Sequence, residues 1–212
     1  MPTTPTPIPL VGFASLAALR SRMLPKDMGD ASDYDTDLSA IGRATAALFD
    51  RITGRELVRN ATAAFSCPAD VESVVLRSYP IEAVASVTLI CGQSSSLMTD
   101  AILGSHPKSG IVDFGCALGS HADRLEIVSA GGYWCDPGDT IAMPTGATPL
   151  PADLLDAFFL QCRAACDAEG IFRQKGAANF ADKDKRDPSL RLQTLDVLPA
   201  VKRILQLYLR MP

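Results

Sequence analysis

Five short segments in the middle of the chain are typical of β-strands, and they restrict the fold more than any other feature of the sequence. They are rich in Val, Ile, Thr and aromatic residues, and Gly, Pro or Ser bounds each of them. The segments cover residues 60–69, 73–80, 85–91, 109–115 and 123–134. We therefore expect an antiparallel β subdomain over about residues 60–135, with one face of its strands buried. Residues 92–109 are expected to form loops or a hairpin.

A helical pattern precedes the β segments. Its apolar residues recur at the helical period, at Leu38, Ile41, Ala44, Leu48, Phe49 and Ile52. Asp33, Asp35 and Asp37 lie at the start, where the helix dipole stabilises negative charge. Gly54 suits the position after the last turn. The pattern predicts a long helix over about residues 35–53.

A second helical pattern follows the β segments. Pro151 suits the first helical position, because its missing N–H would be unpaired there in any case, and Asp153 lies in the first turn. The apolar face is broad and includes Leu154, Leu155, Phe158, Phe159, Cys162, Ala165 and Cys166. The pattern predicts a long helix over about residues 151–169 that packs on more than one side.

A third helical pattern lies at the end of the chain. Residues 171–196 carry dense charge of both signs and predict a flexible linker. After this linker, a helix that starts near Pro199 has an apolar stripe of Val201, Ile204, Leu205 and Tyr208. A short helix on a polar tether cannot bury its stripe alone, so it folds back on its own domain or docks on a partner. We favour docking on a partner.

These patterns together predict an α+β fold. A helical body built on the two long helices would carry an inserted antiparallel β subdomain and a tethered C-terminal helix. The expected divisions are an N-terminal arm with a short helix (1–30), the body (31–170), the linker (171–196) and the C-terminal docking helix (197–212). The first nine residues include four prolines, so we expect an extended arm there.

Charge and hydropathy exclude several classes of protein. The formal net charge is −4, which disfavours nucleic-acid binding through a basic face. The apolar stretch from Ile8 to Leu19 has no positive residue before it and is too short to span a bilayer. We therefore expect a soluble intracellular protein with no membrane partner.

Motifs of the common catalytic and cofactor sites are missing, since the sequence lacks GxSxG, a P-loop, GxGxxG after a strand and HExxH. The six cysteines form no CxxC pair and only two histidines accompany them, so neither a metal nor another cofactor is expected. Cys116 and His121 lie in one polar loop, and a Cys/His hydrolase is the least favoured alternative. Tyr133 and Trp134 leave a small-ligand-binding β module as the other alternative.

Five motifs in order resemble the bacteriophage head–tail connector family, whose members are also called adaptor or head-completion proteins. They are ITGREL (Ile52–Leu57), SYPIEAVASVTL (Ser78–Leu89), GGYW (Gly131–Trp134), PLPADLLDAFFLQCRAACD (Pro149–Asp167) and DVLPAVKRILQLYLR (Asp196–Arg210). The resemblance as a whole spans about residues 35–210. Residues 1–30 and 92–109 do not match the family pattern.

The resemblance implies a structural virion protein that is not an enzyme. About twelve copies would form a ring that joins the portal of a phage capsid to the tail. The ring would line the channel through which DNA passes without sequence-specific binding. A tail-completion or stopper protein would bind the opposite face. The expected location is the head–tail interface of the virion, after assembly in the host cytoplasm.

Two sets of contact residues follow from this interpretation. The C-terminal helix is expected to dock on the portal through Leu198, Val201, Lys202, Ile204, Leu205, Tyr208 and Arg210. Packing between neighbouring copies in the ring is expected at Leu154, Phe158, Phe159, Tyr133 and Trp134.

Overall fold

The computed structural model describes residues 10–24, 31–137, 141–169 and 197–210 of the 212-residue chain. The chain divides into two compact units. The helical unit comprises Met1–Thr53, Cys135–Ala142 and Leu150–Leu209, and the β unit comprises Gly54–Trp134, Met143–Pro149 and Arg210–Pro212. The extended arm expected at residues 1–9 and the linker expected at residues 171–196 lie outside the described residues.

The helical unit opens with a small hairpin. Strands β1 (Leu10–Val11) and β2 (Ala14–Ser15) pair in antiparallel fashion. Helix α1 (Leu16–Met23) follows at once, and the Ser15 side chain caps it by accepting a hydrogen bond of 3.2 Å from the backbone N–H of Ala18. After a 3₁₀ turn at Ala31–Tyr34 come α2 (Asp35–Thr53), α3 (Ala152–Glu169) and α4 (Pro199–Gln206).

Three aromatic rings form the centre of the helical unit. Phe13, Phe49 and Phe158 are almost fully buried. The ring centroids of Phe13 lie 5.7 Å from Phe49 and 5.1 Å from Phe158, within the range of favourable aromatic pairs. The hairpin also approaches α2 closely, because a Cβ added to Gly12 would lie 2.6 Å from the carbonyl oxygen of Gly42. Gly12 has a φ of +73°, which favours glycine at this turn.

The β unit contains nine strands within the described residues. They are β3 (Asn60–Pro68), β4 (Ser73–Val75), β5 (Ile81–Cys91), β6 (Ser94–Leu97), β7 (Gly104–His106), β8 (Ile111–Asp113), β9 (Arg124–Gly131), β10 (Tyr133–Trp134) and β11 (Thr148–Pro149). The main sheet has the order β3-β9-β5-β6, and all its pairs are antiparallel. A second antiparallel sheet has the order β4-β8-β7, and β10 pairs with β11 in parallel.

The main sheet buries one of its faces within the β unit. Val87, Leu125 and Ile127 have no exposed surface and come from β5 and β9. They share a core with side chains of the second sheet and its neighbouring loops, among them Val74, Leu76, Val112 and Phe114. The β unit therefore has a hydrophobic core of its own.

The predicted fold class is wrong, although the chain does mix helices and strands. We expected a helical body of long helices with an inserted β subdomain and a tethered C-terminal helix. Among the described residues, two of the four α-helices have only eight residues, and eleven strands form four sheets. One face of the main sheet is covered by the second sheet of the same unit. Helix α4 packs on α3. The periodicity of apolar residues identifies each helix or strand separately. It does not reveal which of these elements pack together in one core.

Candidate interaction site

The start of α4 is tied to α3 by a hydrogen bond. The backbone N–H of Leu198 donates to Oε1 of Gln161 at 3.1 Å. Gln161 lies on the buried face of α3 and is 1% exposed. Pro199 occupies the first turn of α4, where a missing N–H costs no hydrogen bond. A buried amide that accepts the N–H at the helix start restricts where α4 can begin.

The apolar stripe of α4 faces its own unit. Val201 and Leu205 have no exposed surface, and α4 packs against α3 and α2. These two residues of the expected portal-docking set thus belong to the core of the helical unit in this structure. Ile204 is half-buried, and Lys202 is exposed.

The chain after α4 makes two further polar contacts. The Tyr208 hydroxyl donates to Oδ1 of Asp153 at 2.7 Å, in the first turn of α3. Within the β unit, Nη2 of Arg210 donates to the carbonyl oxygen of Val75 at 2.8 Å. Both side chains were expected at the portal contact, and here both stabilise the chain's own structure.

Basic and apolar side chains remain exposed on α4 and directly after it. Lys202 and Arg203 are exposed, and Leu207 and Leu209 follow the helix with 78% and 48% of their surface exposed. We call these four residues the C-terminal patch. Large exposed apolar side chains that follow two exposed cations in the sequence are typical of a protein-binding surface. The sequence analysis missed both leucines. Leu207 lies outside the period-3.6 stripe, whereas Leu209 continues its spacing but comes after α4 has ended at Gln206.

Three of the five residues expected to pack between copies lie inside the helical unit, whereas Trp134 in the β unit is half-buried. Leu154 and Phe158 have no exposed surface, and Phe159 is 9% exposed. All three belong to the core-facing side of α3. The guanidinium of Arg22 lies 5.3 Å from the ring centroid of Phe159. As placed here, these side chains offer little surface to a second copy.

Tyr133 and Trp134 close the β unit and form its parallel strand pair with β11. Tyr133 is 8% exposed, and its backbone N–H donates to the carbonyl oxygen of Leu57 at 2.7 Å. The guanidinium of Arg55 lies 3.6 Å from the ring centroid of Tyr79 and 5.5 Å from that of Tyr133. Tyr133 is therefore part of a packed cation–π cluster, which gives no support to a ligand-stacking role.

Three of the cysteines are buried, Cys67 is half-buried, and the others are exposed, as are both histidines. Burial raises the pKa values of Cys135, Cys162 and Cys166 to about 12, so these thiols stay protonated at neutral pH. Cys116 is exposed, and His121 Nδ1 lies 2.9 Å from Oδ2 of Asp70 in an exposed pair. Within the described ranges, no group of three or more His, Cys, Asp or Glu side chains could hold a metal ion.

A helix that crosses a bilayer has to be both long and apolar. Among the helices that the structure describes, none combines the length and the apolar character of a membrane-spanning segment.

Comparisons with known proteins give similarity in structure alone. No model of a known protein family matches the chain, and no curated protein matches it in sequence. The chain is similar to a chain in the neck of an empty gene transfer agent (GTA) particle computed with C6 symmetry. The sequence identity is 17%, the similarity covers 93% of this chain and 97% of that chain, and the TM-score is 0.53.

Two further solved structures are similar to a lesser degree. One is the virion of a native GTA particle, with 19% identity over 87% of this chain and 91% of that chain and a TM-score of 0.49. The other is the neck of a native GTA particle computed with C12 symmetry. The sequence identity is 20%, the similarity covers 94% of this chain and 98% of that chain, and the TM-score is 0.46. The likeness to the neck of the empty particle shows that this chain has the fold of a chain in that neck.

Proposed function

We propose that this chain is a structural protein of the neck of a phage-like particle, located at the head–tail interface. The observation that carries the proposal is the fold shared with a chain in the neck of an empty GTA particle, over 93% of this chain and 97% of that chain. Because the similarity covers nearly all of both chains, it includes the helical unit and the β unit. The proposed role is structural, so no reaction is assigned to the chain.

The proposed assembly is a ring that joins the portal of the capsid to the tail. The neck that contains the similar chain was computed with C6 symmetry. A six-fold axis is compatible with the ring of about twelve copies implied by the family resemblance, because twelve is a multiple of six. In such a ring each copy meets its neighbours through two different surfaces of the same chain.

The C-terminal patch is the surface that we propose for the portal. Its two cations and two exposed leucines remain available after Val201 and Leu205 have packed α4 onto the helical unit. A partner with acidic side chains around an apolar depression would match this patch in charge and in hydropathy. The tail-completion or stopper protein would then bind the other side of the ring.

The net charge agrees with a channel that lets DNA slide. The chain carries a formal net charge of −4. Like charge on the channel wall would keep the phosphates of DNA from adhering, and salt would screen the repulsion beyond about 10 Å. DNA would therefore pass without sequence-specific contacts.

The proposal is tested by deleting the gene for this chain in cells that make the particle and restoring it from a plasmid. We expect the deletion to leave DNA-filled or empty heads without tails, and the intact gene to restore tailed particles. Electron microscopy of the restored particles would show density for the chain between portal and tail. Tailed, normal particles from the deletion strain would contradict the proposed function.

A further inference from the structure

The main sheet of the β unit ends in two open edges. Its order is β3-β9-β5-β6, so β3 and β6 are the edge strands. In the part of the chain that the structure describes, no other strand pairs with the outer side of either one. All four residues of β6 are exposed, as are most residues of β3.

Charged side chains, Pro and bulges protect neither β6 nor the middle of β3 against pairing. Edge strands of natural sheets are commonly blocked by charged side chains, by Pro or by a bulge. Neither β3 nor β6 contains a charged residue. Only the ends of β3 are blocked, by a register shift between Asn60 and Ala63 and by Pro68, which has no N–H. The unprotected part of β3 consists of residues 64–67. It has the same length as β6, which has four residues.

Strand direction makes the two edges complementary to each other. Each neighbouring pair in the main sheet is antiparallel, and the sheet has an even number of strands. The edge strands β3 and β6 therefore run in opposite directions. When a second copy is placed beside the first in the same orientation, as in a ring, β6 of one copy runs antiparallel to β3 of the next. The junction continues the alternation of the sheet.

The side chains at the junction also fit. Leu97 on β6 is 71% exposed. It lies in one cross-strand row with Thr88, Glu126 and Ser66, on the face opposite the core residues Val87 and Ile127. On that face the unprotected part of β3 has only the small side chains of Ala64 and Ser66. A neighbouring β3 would therefore leave room for Leu97.

We infer that neighbouring copies of this chain join head to tail through these edges, with β6 of one copy hydrogen-bonded to residues 64–67 of the next. The inference deepens the proposed ring and rests on it, because it names the surface through which the copies meet. The occupant is a second copy rather than an unrelated strand, because the two edges run in opposite directions, are equal in length and both lack charge. A head-to-tail contact of this kind closes into a ring when its rotation is suitable.

Two charge variants test the contact in the full chain. Leu97→Lys and Ser66→Lys each place a cation at one edge, on a side chain that is exposed in the single copy. We expect each variant to remain folded by circular dichroism and to lose the multimers that wild type forms in sedimentation velocity at high protein concentration. Leu103→Lys is the matched control, because Leu103 is 75% exposed but lies outside any strand, and it should assemble like wild type.

A mixture of the two variants gives the sharpest result. The Leu97→Lys copy keeps an intact β3 edge, and the Ser66→Lys copy keeps an intact β6 edge. Head-to-tail pairing therefore predicts that the mixture forms dimers and no larger species. Larger multimers in the mixture would overturn the inference, and so would assembly of both single variants at the level of wild type.

Other outcomes separate this inference from the proposed function. If only Leu97→Lys prevents assembly, β6 binds a strand other than β3 of a second copy, and the inference is wrong. If particles carrying either variant still show a complete ring by electron microscopy, the edges are not the contact, while the neck function stands. If wild type is missing from the neck of purified particles, the proposed function fails as well.

Discussion

The backbone N–H of Leu198 donates a hydrogen bond of 3.1 Å to the side-chain oxygen of Gln161, which is buried on α3. This contact joins the start of the C-terminal helix to the helical unit. Gln161 interrupts an otherwise apolar helix face that includes Phe158, Cys162 and Ala165. A polar residue in such a face is a signal that a sequence reading can detect, although it does not identify the group that the side chain binds.

Replacing Gln161 tests this contact. Gln161→Leu keeps a similar side-chain size but removes the acceptor, so the N–H of Leu198 loses its partner. We expect the free energy of unfolding to fall by about 1–3 kcal/mol, measured by urea denaturation. Gln206→Ala, at an exposed position of α4, should change it by less than about 0.5 kcal/mol. A Gln161→Leu variant as stable as wild type would contradict the role of this bond.

Two leucines near the end of the chain should respond differently to truncation. Leu205→Ala removes a fully buried side chain and leaves a cavity between α4 and its unit, which we expect to cost about 2–5 kcal/mol in thermal or chemical unfolding. Leu207→Ala changes a side chain that is 78% exposed and should cost less than about 0.5 kcal/mol. Equal effects of the two changes would mean that α4 does not pack on its own unit in solution.

Reversing the charge of the C-terminal patch should weaken portal binding without unfolding the chain. We expect the double variant Lys202→Glu/Arg203→Glu to lower the affinity for purified portal by about tenfold or more, since two attractive charges become repulsive. The melting temperature should stay close to that of wild type, because both side chains are exposed. Calorimetric titration gives the affinity.

A matched control for the patch lies on the β unit. Arg77→Glu/Lys108→Glu makes the same change of charge at two exposed positions. If both double variants bind portal equally weakly, net charge accounts for the effect and the patch has no specific role.

The buried thiols predict a loss of stability in alkali. Burial raises the pKa values of Cys135, Cys162 and Cys166 to about 12. A thiol in the unfolded chain has a pKa of about 8.5. Between these pH values the unfolded chain binds fewer protons than the folded chain. The free energy of unfolding should therefore fall as pH rises, by up to about 1.4 kcal/mol per pH unit for each buried thiol.

Urea denaturation at a series of pH values between the two titration ranges measures this slope. Cys135→Ala removes one buried thiol and should make the slope shallower. Cys116→Ala, at an exposed position, should leave the slope unchanged. A slope that is the same in all three proteins would show that the buried thiols do not control the alkaline response.

The sequence located individual elements better than it predicted the architecture. Leu38, Ile41 and Phe49 recur at the helical period, and all three are buried on α2. The hairpin of β1 and β2 was not predicted, because two-residue strands are too short to show alternation. The second sheet that covers one face of the main sheet was not predicted either. Whether a strand is covered by a helix or by another sheet depends on contacts between residues far apart in the chain.

The C-terminal helix shows the same limit most clearly. The sequence by itself determined that Pro199 begins a helix and that Val201 and Leu205 share an apolar stripe which has to leave water. It could not determine what buries that stripe, because the hydrophobic effect is proportional to the apolar area removed from water and has no direction. Only the tertiary structure decided that α3 and α2 of the same chain cover it, and that Lys202, Arg203, Leu207 and Leu209 are what remains for a partner.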